Sequence, residues 1–364
     1  MLLNLLNLKT SAFGLDISDL SLKLVCIEGK HNTKKIVSFG KLDIPAGIIK
    51  RGQIKDPQEL AKQIKKLIKG VKGKKVTTPY VVASLPEEKT FSQVIALPKM
   101  TEEEAKQAIY FEAEKYIPYS VDKVYLDCQK INIEHGDKDK TYVLLVALPK
   151  NTADRCAKAL DLAGLRPLAL EIESQATVRA VLDEEKKRSP AMLIMDIGAT
   201  RTGFIIFSGT ALRFTTSIPV SSGDFTRIIA KVFKIDYKSA DELKIQYGLS
   251  QKTKEEKKVF EALIPALTDL TEQIKKYIEY YHSRAEQDPG FVNGIRIEKI
   301  LLCGGGAKLV GLPEFLSEQL GLPVEIANPL VNLKGETKMT KDQALEYTTA
   351  IGLALRAIKE NGVY

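Results

Sequence analysis

Histidine is scarce in this chain, three in 364 residues, and its four cysteines include no Cys-x-x-Cys pair. The ligand spacings of a zinc site or a disulfide framework are therefore missing. Cys26, Cys128, Cys156 and Cys303 each stand among apolar neighbours, which predicts reduced core thiols and a cytoplasmic setting. No apolar run approaches the roughly 20 residues of a membrane helix. Met1 to Leu8 is too short for a signal peptide and lacks its basic start. Helix-turn-helix, zinc-finger and aromatic RNA-binding patterns are absent as well, so no nucleic acid partner is expected.

What is present begins with length and charge. The chain exceeds what one hydrophobic core usually serves, so two or more subdomains are expected. Its formal net charge is +8, densest at Lys62, Lys65, Lys66, Lys69, Lys72, Lys74 and Lys75, on and just after one expected helix. Such a run serves either as a solvated face or as an attraction for anionic headgroups or an acidic partner.

Three turns carry the chemistry. Met195-Asp196-Ile197-Gly198-Ala199-Thr200-Arg201-Thr202 runs an apolar strand into a glycine turn lined with hydroxyls. Glycine at 198 lets backbone approach an anion, Asp196 can order a magnesium ion's water shell, and Thr202 can donate to phosphate oxygens. Phe13 to Val25 repeats the device, with an acidic turn after Asp16 and a returning strand that carries Lys23. Ile300 to Cys303, followed by Gly304, Gly305, Gly306, Ala307 and Lys308, is a buried strand, three glycines and a helix start, where a nucleotide can lie on bare backbone. Two phosphate hairpins about 180 residues apart, with the glycine run after them, predict a cleft between two related domains that closes around a nucleotide.

Hydrophobic periodicity outlines the rest. Ile36 to Ile44 reads as a third strand, and Pro57 to Val71 as a helix capped by Asp56, with Leu60, Ile64, Leu67 and Ile68 on one stripe. Tyr80 to Leu85 is a short buried strand, so a mixed sheet with packed helices opens the chain. After Pro86, Val94 to Thr101 feeds a helix with Glu102, Glu103 and Glu104 in its first turn, where acids suit the helix dipole. The pattern returns at Leu145 to Thr152, entering a helix that ends at Ala163-Gly164. Between them Val124 to Ile133 and Tyr142 to Leu148 pair around the polar turn His135 to Lys140, which predicts an inserted module devoted to contacts. Leu168 to Ile172 returns to the sheet, Glu173 begins a helix to about Lys187, and Asp183 to Ser189 is the linker. The second domain repeats the plan with strands near Met192 to Ile197, Thr202 to Ser208 and Ala211 to Val220. Lys254 to Ala285 is helical, Pro265 is expected to bend or divide it, and Tyr277 and Tyr281 are expected to pack. The last helix, Ala344 to Lys359, carries Ala350, Leu353, Ala354 and Ala357, expected to allow close contact where the two domains meet.

On these motifs the chain resembles the actin-like ATPase superfamily over nearly its whole length. Asp16 and Lys23 match the first phosphate motif, Asp196, Gly198 and Thr202 the second, and Gly304, Gly305 and Gly306 the adenosine motif. Ala240 to Gly248 is similar to the helix of bacterial relatives that reaches the ribose and base, with Asp241 and Lys244 at the matching positions. The early module is shared by FtsA, the cell-division protein, and the type IV pilus assembly family PilM. Gly14-Leu15-Asp16-Ile17-Ser18 with Leu22-Lys23-Leu24-Val25, and Ile95-Ala96-Leu97-Pro98-Lys99-Met100, look more like PilM, as does an end at Tyr364 soon after the last core helix, without an amphipathic membrane helix.

The resemblance implies an α/β actin-like ATPase fold, two related domains flanking a nucleotide cleft, with an FtsA-type, SHS2-like inserted subdomain. Its parts would be subdomain 1A in 10–85 and 165–189, 1C in 86–164, 2A in 190–223 and 295–338, 2B in 224–294, and a C-terminal helix in 339–364 closing 1A. ATP and Mg2+ are the implied cofactors, contacted by Asp16, Ser18, Lys23, Asp196, Gly198, Thr200, Thr202, Asp241, Lys244, Gly304, Gly305, Gly306 and Lys308, with Asp16 and Asp196 holding magnesium through water. The implied partners are the N-terminal cytoplasmic tail of PilN and other platform and motor proteins, with possible self-association, at the cytoplasmic face of the inner membrane. Two departures stand out: Ser18 where the first phosphate loop commonly has glycine, and Asp241 where relatives often have glutamate. Glu173 occupies the place of the residue that orients attacking water, and a helix cap is its other reading, so at most slow ATPase activity is expected. Met1 to Leu8 is open to local packing, shallow membrane insertion, or docking in a tail groove through Asn4-Leu5-Leu6. An FtsA-like filament protein and a small-molecule kinase of the same superfamily are the alternatives.

Overall fold

Strand and helix signals alternate along the chain in an order that builds one sheet plan twice. The computed structural model describes residues 11–29, 33–131, 138–186, 189–287 and 296–360. The segment 1–9, part of the polar turn at 135–140 and residues 187–188 of the expected linker lie outside the described residues. Two units emerge, one of Met1–Thr90, Leu148–Glu185 and Asn328–Tyr364, the other of Phe91–Ala147 and Lys186–Ala327.

The first unit opens with β1 (Phe13–Ile17), β2 (Ser21–Glu28) and β3 (Lys35–Asp43), then a hairpin of β4 (Ile49–Lys50) and β5 (Gln53–Ile54). Helix α1 (Pro57–Lys69), β6 (Lys72–Gly73) and β7 (Tyr80–Leu85) follow. The chain crosses to the second unit for β8 (Phe91–Pro98), α2 (Glu102–Glu112), β9 (Val124–Ile131) and most of β10 (Lys140–Pro149). It returns for α3 (Lys150–Leu162), β11 (Arg166–Ile172) and α4 (Glu173–Val181). The second unit resumes with β12 (Ser189–Ile197), β13 (Thr202–Gly209), β14 (Ala211–Ile218), α5 (Ser222–Phe233), α6 (Tyr237–Tyr247) and α7 (Lys254–Gln287). It closes with β15 (Lys299–Cys303), α8 (Leu312–Leu320) and β16 (Val324–Ile326), before α9 (Lys341–Glu346) and α10 (Thr348–Glu360) complete the first.

The first unit's sheet runs β11-β7-β1-β2-β3-β6 and the second's β14-β13-β12-β15-β16, with a separate β8-β10-β9 sheet in the module. In each large sheet two antiparallel hairpin steps are followed by two parallel steps. Parallel neighbours need a crossover, usually a helix. That requirement corrects the expected module of 86–164. The crossover from β7 to β11 is α3, whose Ala153, Cys156, Ala159 and Leu160 share a core with Leu60 and Ile64 of α1. The module's own core, around Ile95, Ile109, Val143 and Leu145, is separate.

Local chemistry accounts for the helix ends. Asp56 accepts hydrogen bonds from the amides of Gln58 and Glu59 at 3.0 and 2.9 Å, and Leu60, Ala61, Ile64 and Leu67 turn inward. Thr101 and Glu104 form a reciprocal capping box at α2, a device of about 1 kcal/mol. Helix α4 ends at Val181, short of the expected Lys187. There the buried Asn332 amide donates to the carbonyls of Arg179 and Leu182, at 3.0 and 2.7 Å, and accepts from the Glu184 amide at 2.9 Å.

Pro265 lies inside α7 without dividing it. One missing hydrogen bond is outweighed there by a buried stripe of Leu263, Leu267, Leu270 and Ile274. The expected last helix is two, broken at Tyr347. Its small residues serve contact inside the first unit. A Cβ on Gly14 of β1 would strike the Ala350 carbonyl and the Ala354 amide, and one on Gly352 would strike the Ala176 carbonyl of α4. Tyr277 and Tyr281 pack as expected, Tyr277 edge-on to Phe204 at 5.4 Å and Tyr281 buried.

Candidate functional site

In the second unit, β12 and β15 run parallel with Asp196 beside Cys303, so the carboxylate and the glycine run emerge at one sheet end. Gly304 takes φ 79, and a Cβ there would strike the Asp196 carboxylate and the Ile197 backbone. A Cβ on Gly306 would strike the Ile197 side chain. Two of the three glycines are thus fixed by packing against β12, while Gly305 and Lys308 are exposed. The expected helix start after them is a short 3-10 turn, Gly305–Lys308.

The turn after β12 is tied to α5. The Gly198 amide donates to the Arg201 carbonyl at 2.9 Å, and its own carbonyl accepts from the Ser222 amide at 3.0 Å. Gly223 has no room for a Cβ against the Ala199 carbonyl. The positive end of a twelve-residue helix is therefore held beside the exposed Ala199-Thr200 tip, a setting suited to an anion. Thr202 departs from expectation. It is fully buried and its single hydroxyl proton goes to the Val220 carbonyl at 2.7 Å, so it fixes the strand end instead of facing phosphate.

Asp241 and Lys244 do converge. The buried Lys244 ammonium donates to the Asp241 carboxylate at 2.6 Å, to the Thr226 hydroxyl at 2.7 Å and to the Ser222 hydroxyl at 3.0 Å. Thr226 also donates to Asp241 at 2.9 Å. This knot fastens α6 to the start of α5.

In the first unit, Asp16 and Lys23 face each other in the β1–β2 register. Lys23 donates to the buried Asp16 carboxylate at 2.8 Å. Ser84 of β7 donates to the other carboxylate oxygen at 3.3 Å and accepts from the Ile17 amide at 2.8 Å. Ser18 turns its hydroxyl to the Ser21 carbonyl, 2.9 Å away. Asp19 receives the amides of Arg51 and Gly52, both at positive φ, and so pins the β4–β5 hairpin to this turn.

Glu173 stands at the first position of α4, where its carboxylate meets the Glu87 amide at 3.5 Å. Glu87 answers by accepting from the Ser174 amide at 3.1 Å. Glu173 is thus not the cap of α4: Ile172 holds that position, and the Ser174 amide is met by Glu87, which the sequence reading missed along with Ser84. Ser84 had a signal, as the one hydroxyl among the apolar residues after Tyr80 in β7. Away from this site, in the core under α3, burial pushes the Cys156 thiol up to about 12.

The module presents a different surface. Tyr110, Phe111, Tyr116, Tyr119 and Tyr125 are all exposed, Phe111 at 83%. Tyr110 and Phe111 fall outside the stripe of Ala105, Ile109 and Ala113 that faces the module core.

With this geometry described, similarity to known proteins becomes informative. The family model for type IV pilus assembly protein PilM matches residues 14–358. The chain belongs to the PilM family. Among solved structures it is similar to a chain of a PilM-PilN type IV pilus biogenesis complex, 28% identical at TM-score 0.80, covering 96% of this chain and 99% of that one. MreB 5 of Spiroplasma citri bound to AMPPNP shares the fold at 16% identity and TM-score 0.57, over 96% and 97% of the two chains. FtsA of Pseudomonas aeruginosa is 24% identical over 71% of this chain, and this PilM-family chain spans 64% of that relative's length, just under two thirds. FtsA of Enterococcus hirae is 25% identical over 87% of the chain and 78% of that protein. The fold is the actin-like ATPase fold. Among the described residues no helix is long and apolar enough to cross a membrane.

Proposed function

We propose that this PilM-family chain is an ATP-binding adaptor of the type IV pilus inner-membrane platform, which captures the N-terminal cytoplasmic tail of PilN and links the platform to its motor. The observation that carries the nucleotide half is the glycine loop pressed on the end of β12, where Gly304 and Gly306 leave no Cβ between Asp196, Ile197 and the approaching backbone. The residues fit a nucleotide. Gly304, Gly305, Gly306 and Lys308, with Asp241 positioned by the buried Lys244, suit the nucleoside, and Gly198, Thr200 and the α5 start suit phosphate. Lys23, Ser18 and Asp16 belong to the same proposal from the first unit.

Asp196 would hold magnesium through water, and the same role is proposed for Asp16, whose oxygens keep lone pairs beyond those used by Lys23 and Ser84. Bound triphosphate supplies a phosphoanhydride open to hydrolysis. Glu173, the candidate for orienting water, shares its carboxylate with the Glu87 amide, which favours slow turnover and a nucleotide that acts as a clamp.

The partner half is supported by similarity to the PilM-PilN complex over 96% of this chain. The exposed aromatics of the module supply the anchors a tail would need. Localisation at the inner membrane follows from that capture. Because Phe91 pairs opposite Ala147, residues 92–146 can be replaced by a short link while α3 stays in its core. Titration of this variant is expected to show ATP binding retained and PilN tail-peptide binding lost. Unchanged peptide affinity would refute the assignment.

A further inference from the structure

Between Leu60 and Pro86 the chain has seven lysines and no arginine, aspartate or glutamate. That segment carries +7 of the formal +8, leaving +1 for all the remaining residues. Folding gathers this charge on one surface. Leu60, Ala61, Ile64 and Leu67 of α1 face the core, so Lys62, Lys65, Lys66 and Lys69 occupy the outer face, all exposed. Lys72 sits on the sheet's edge strand β6, and Lys74 and Lys75 follow it, exposed as well. Ion pairs involve only two of the seven among the described residues, Lys62 with Glu59 at 2.9 Å and Lys74 with Glu28 at 2.6 Å. A lysine that merely guards an edge strand against pairing would explain Lys72 and not the helix.

We propose that the outer face of α1 with β6 is a contact surface for anionic lipid headgroups, so that the chain touches a membrane directly. The chemistry selects this occupant over an acidic protein. A protein interface concentrates its energy in buried aromatic and arginine anchors, and none of the exposed large apolar side chains falls between Leu20 and Tyr110. Lysines act as point charges on flexible stems, whereas arginine forks read individual carboxylates and phosphates. Base stacking has no aromatic to use here. What remains is attraction to a diffuse negative layer, where each lysine near an anionic leaflet strengthens binding about fivefold. The surface needs no PilN, and its failure would leave the adaptor reading untouched.

The test is co-sedimentation of the full chain with vesicles of phosphatidylcholine alone, or with about 30% phosphatidylglycerol, at about 0.1 M salt, where screening still leaves short-range attraction. The expected result is binding to the anionic vesicles only, weakened by added salt. Replacing Lys65, Lys66 and Lys69 by glutamine (K65Q/K66Q/K69Q) is expected to lower that binding about a hundredfold. The charge-matched control K252Q/K254Q/K257Q, on exposed lysines at the start of α7, is expected to keep it. No binding to anionic vesicles, or equal loss in both triple variants, overturns the proposal. So does polyglutamate or transfer RNA binding that depends on the α1 lysines without vesicle binding, which would assign the surface to an acidic macromolecule.

Discussion

The hairpins that carry Asp16 and Asp196 occupy the same place in two copies of one sheet plan, yet opposite Asp16 stands Lys23 and opposite Asp196 stands Gly203. In the first unit the carboxylate is held by an ammonium and a hydroxyl. In the second it lies against a bare glycine loop. The copies differ again one strand later. After β7 the chain departs into the module, and after β15, its counterpart, it makes the Gly304 to Gly306 turn. A repeated scaffold thus carries a paired charge at this turn in one half and naked backbone in the other, and the position of the glycine loop in one half is an attachment point in the other.

The largest way to break this contrast is Gly304→Val. A side chain at φ 79, directed into the Asp196 carboxylate, combines backbone strain with overpacking, about 4 kcal/mol together. Chemical denaturation should show the loss and ATP titration the failure of binding, while Gly305→Ala, at an exposed position, stays within about 0.5 kcal/mol. Next comes Lys23→Ala, which leaves a buried carboxylate without its cation and should cost about 3 kcal/mol. Combining it with Asp16→Asn should recover most of that loss in a double-mutant cycle.

The contrast is sharpened by giving the second hairpin the first one's partner. Gly203 has no atom within 3.8 Å of an added Cβ, so Gly203→Lys should fold. An ammonium placed opposite Asp196 should then weaken ATP about tenfold, and an affinity equal to wild type would deny that carboxylate a part in the site. The last effect is confined to alkaline pH. Burial lifts the Cys156 thiol from 9.0 to about 12, so between those values the unfolded chain releases a proton that the native one keeps. Stability present below pH 9 should fall as pH rises through that window, by about 1.4 kcal/mol per unit from this group. Cys156→Ala should flatten the fall by that amount in denaturation midpoints compared at the two ends of the window.

Local signals made much of this legible. Asp56 before Pro57 marks the start of α1, and the short apolar run from Tyr80 to Leu85 marks β7. The three motifs could be read because each is a short run of residues. What escaped depends on partners far along the chain. The end of α4 is set by Asn332, 150 residues beyond the Leu182 carbonyl it holds. The place of α3 is set by the crossover to β11, and its sequence, similar in entry to α2, suggested the module instead. Thr202 matched the motif by type, but a hydroxyl's single proton goes where geometry leads it, here to Val220. Glu87 was invisible for the same reason, its partner lying 87 residues away, and the lone hydroxyl of β7 marked Ser84 without its partner, 68 residues away.

Phe91 and Ala147 sit directly opposite in neighbouring antiparallel strands, so the inserted sequence departs and rejoins through two adjoining backbone ribbons. A tug on the module loads both ribbons together along their length, and their ladder is neither peeled open from one end nor sheared. The entry ribbon is further stapled by Glu87 to the first turn of α4. Traction on that ribbon would therefore reach the first turn of a core helix through the carboxylate of Glu87.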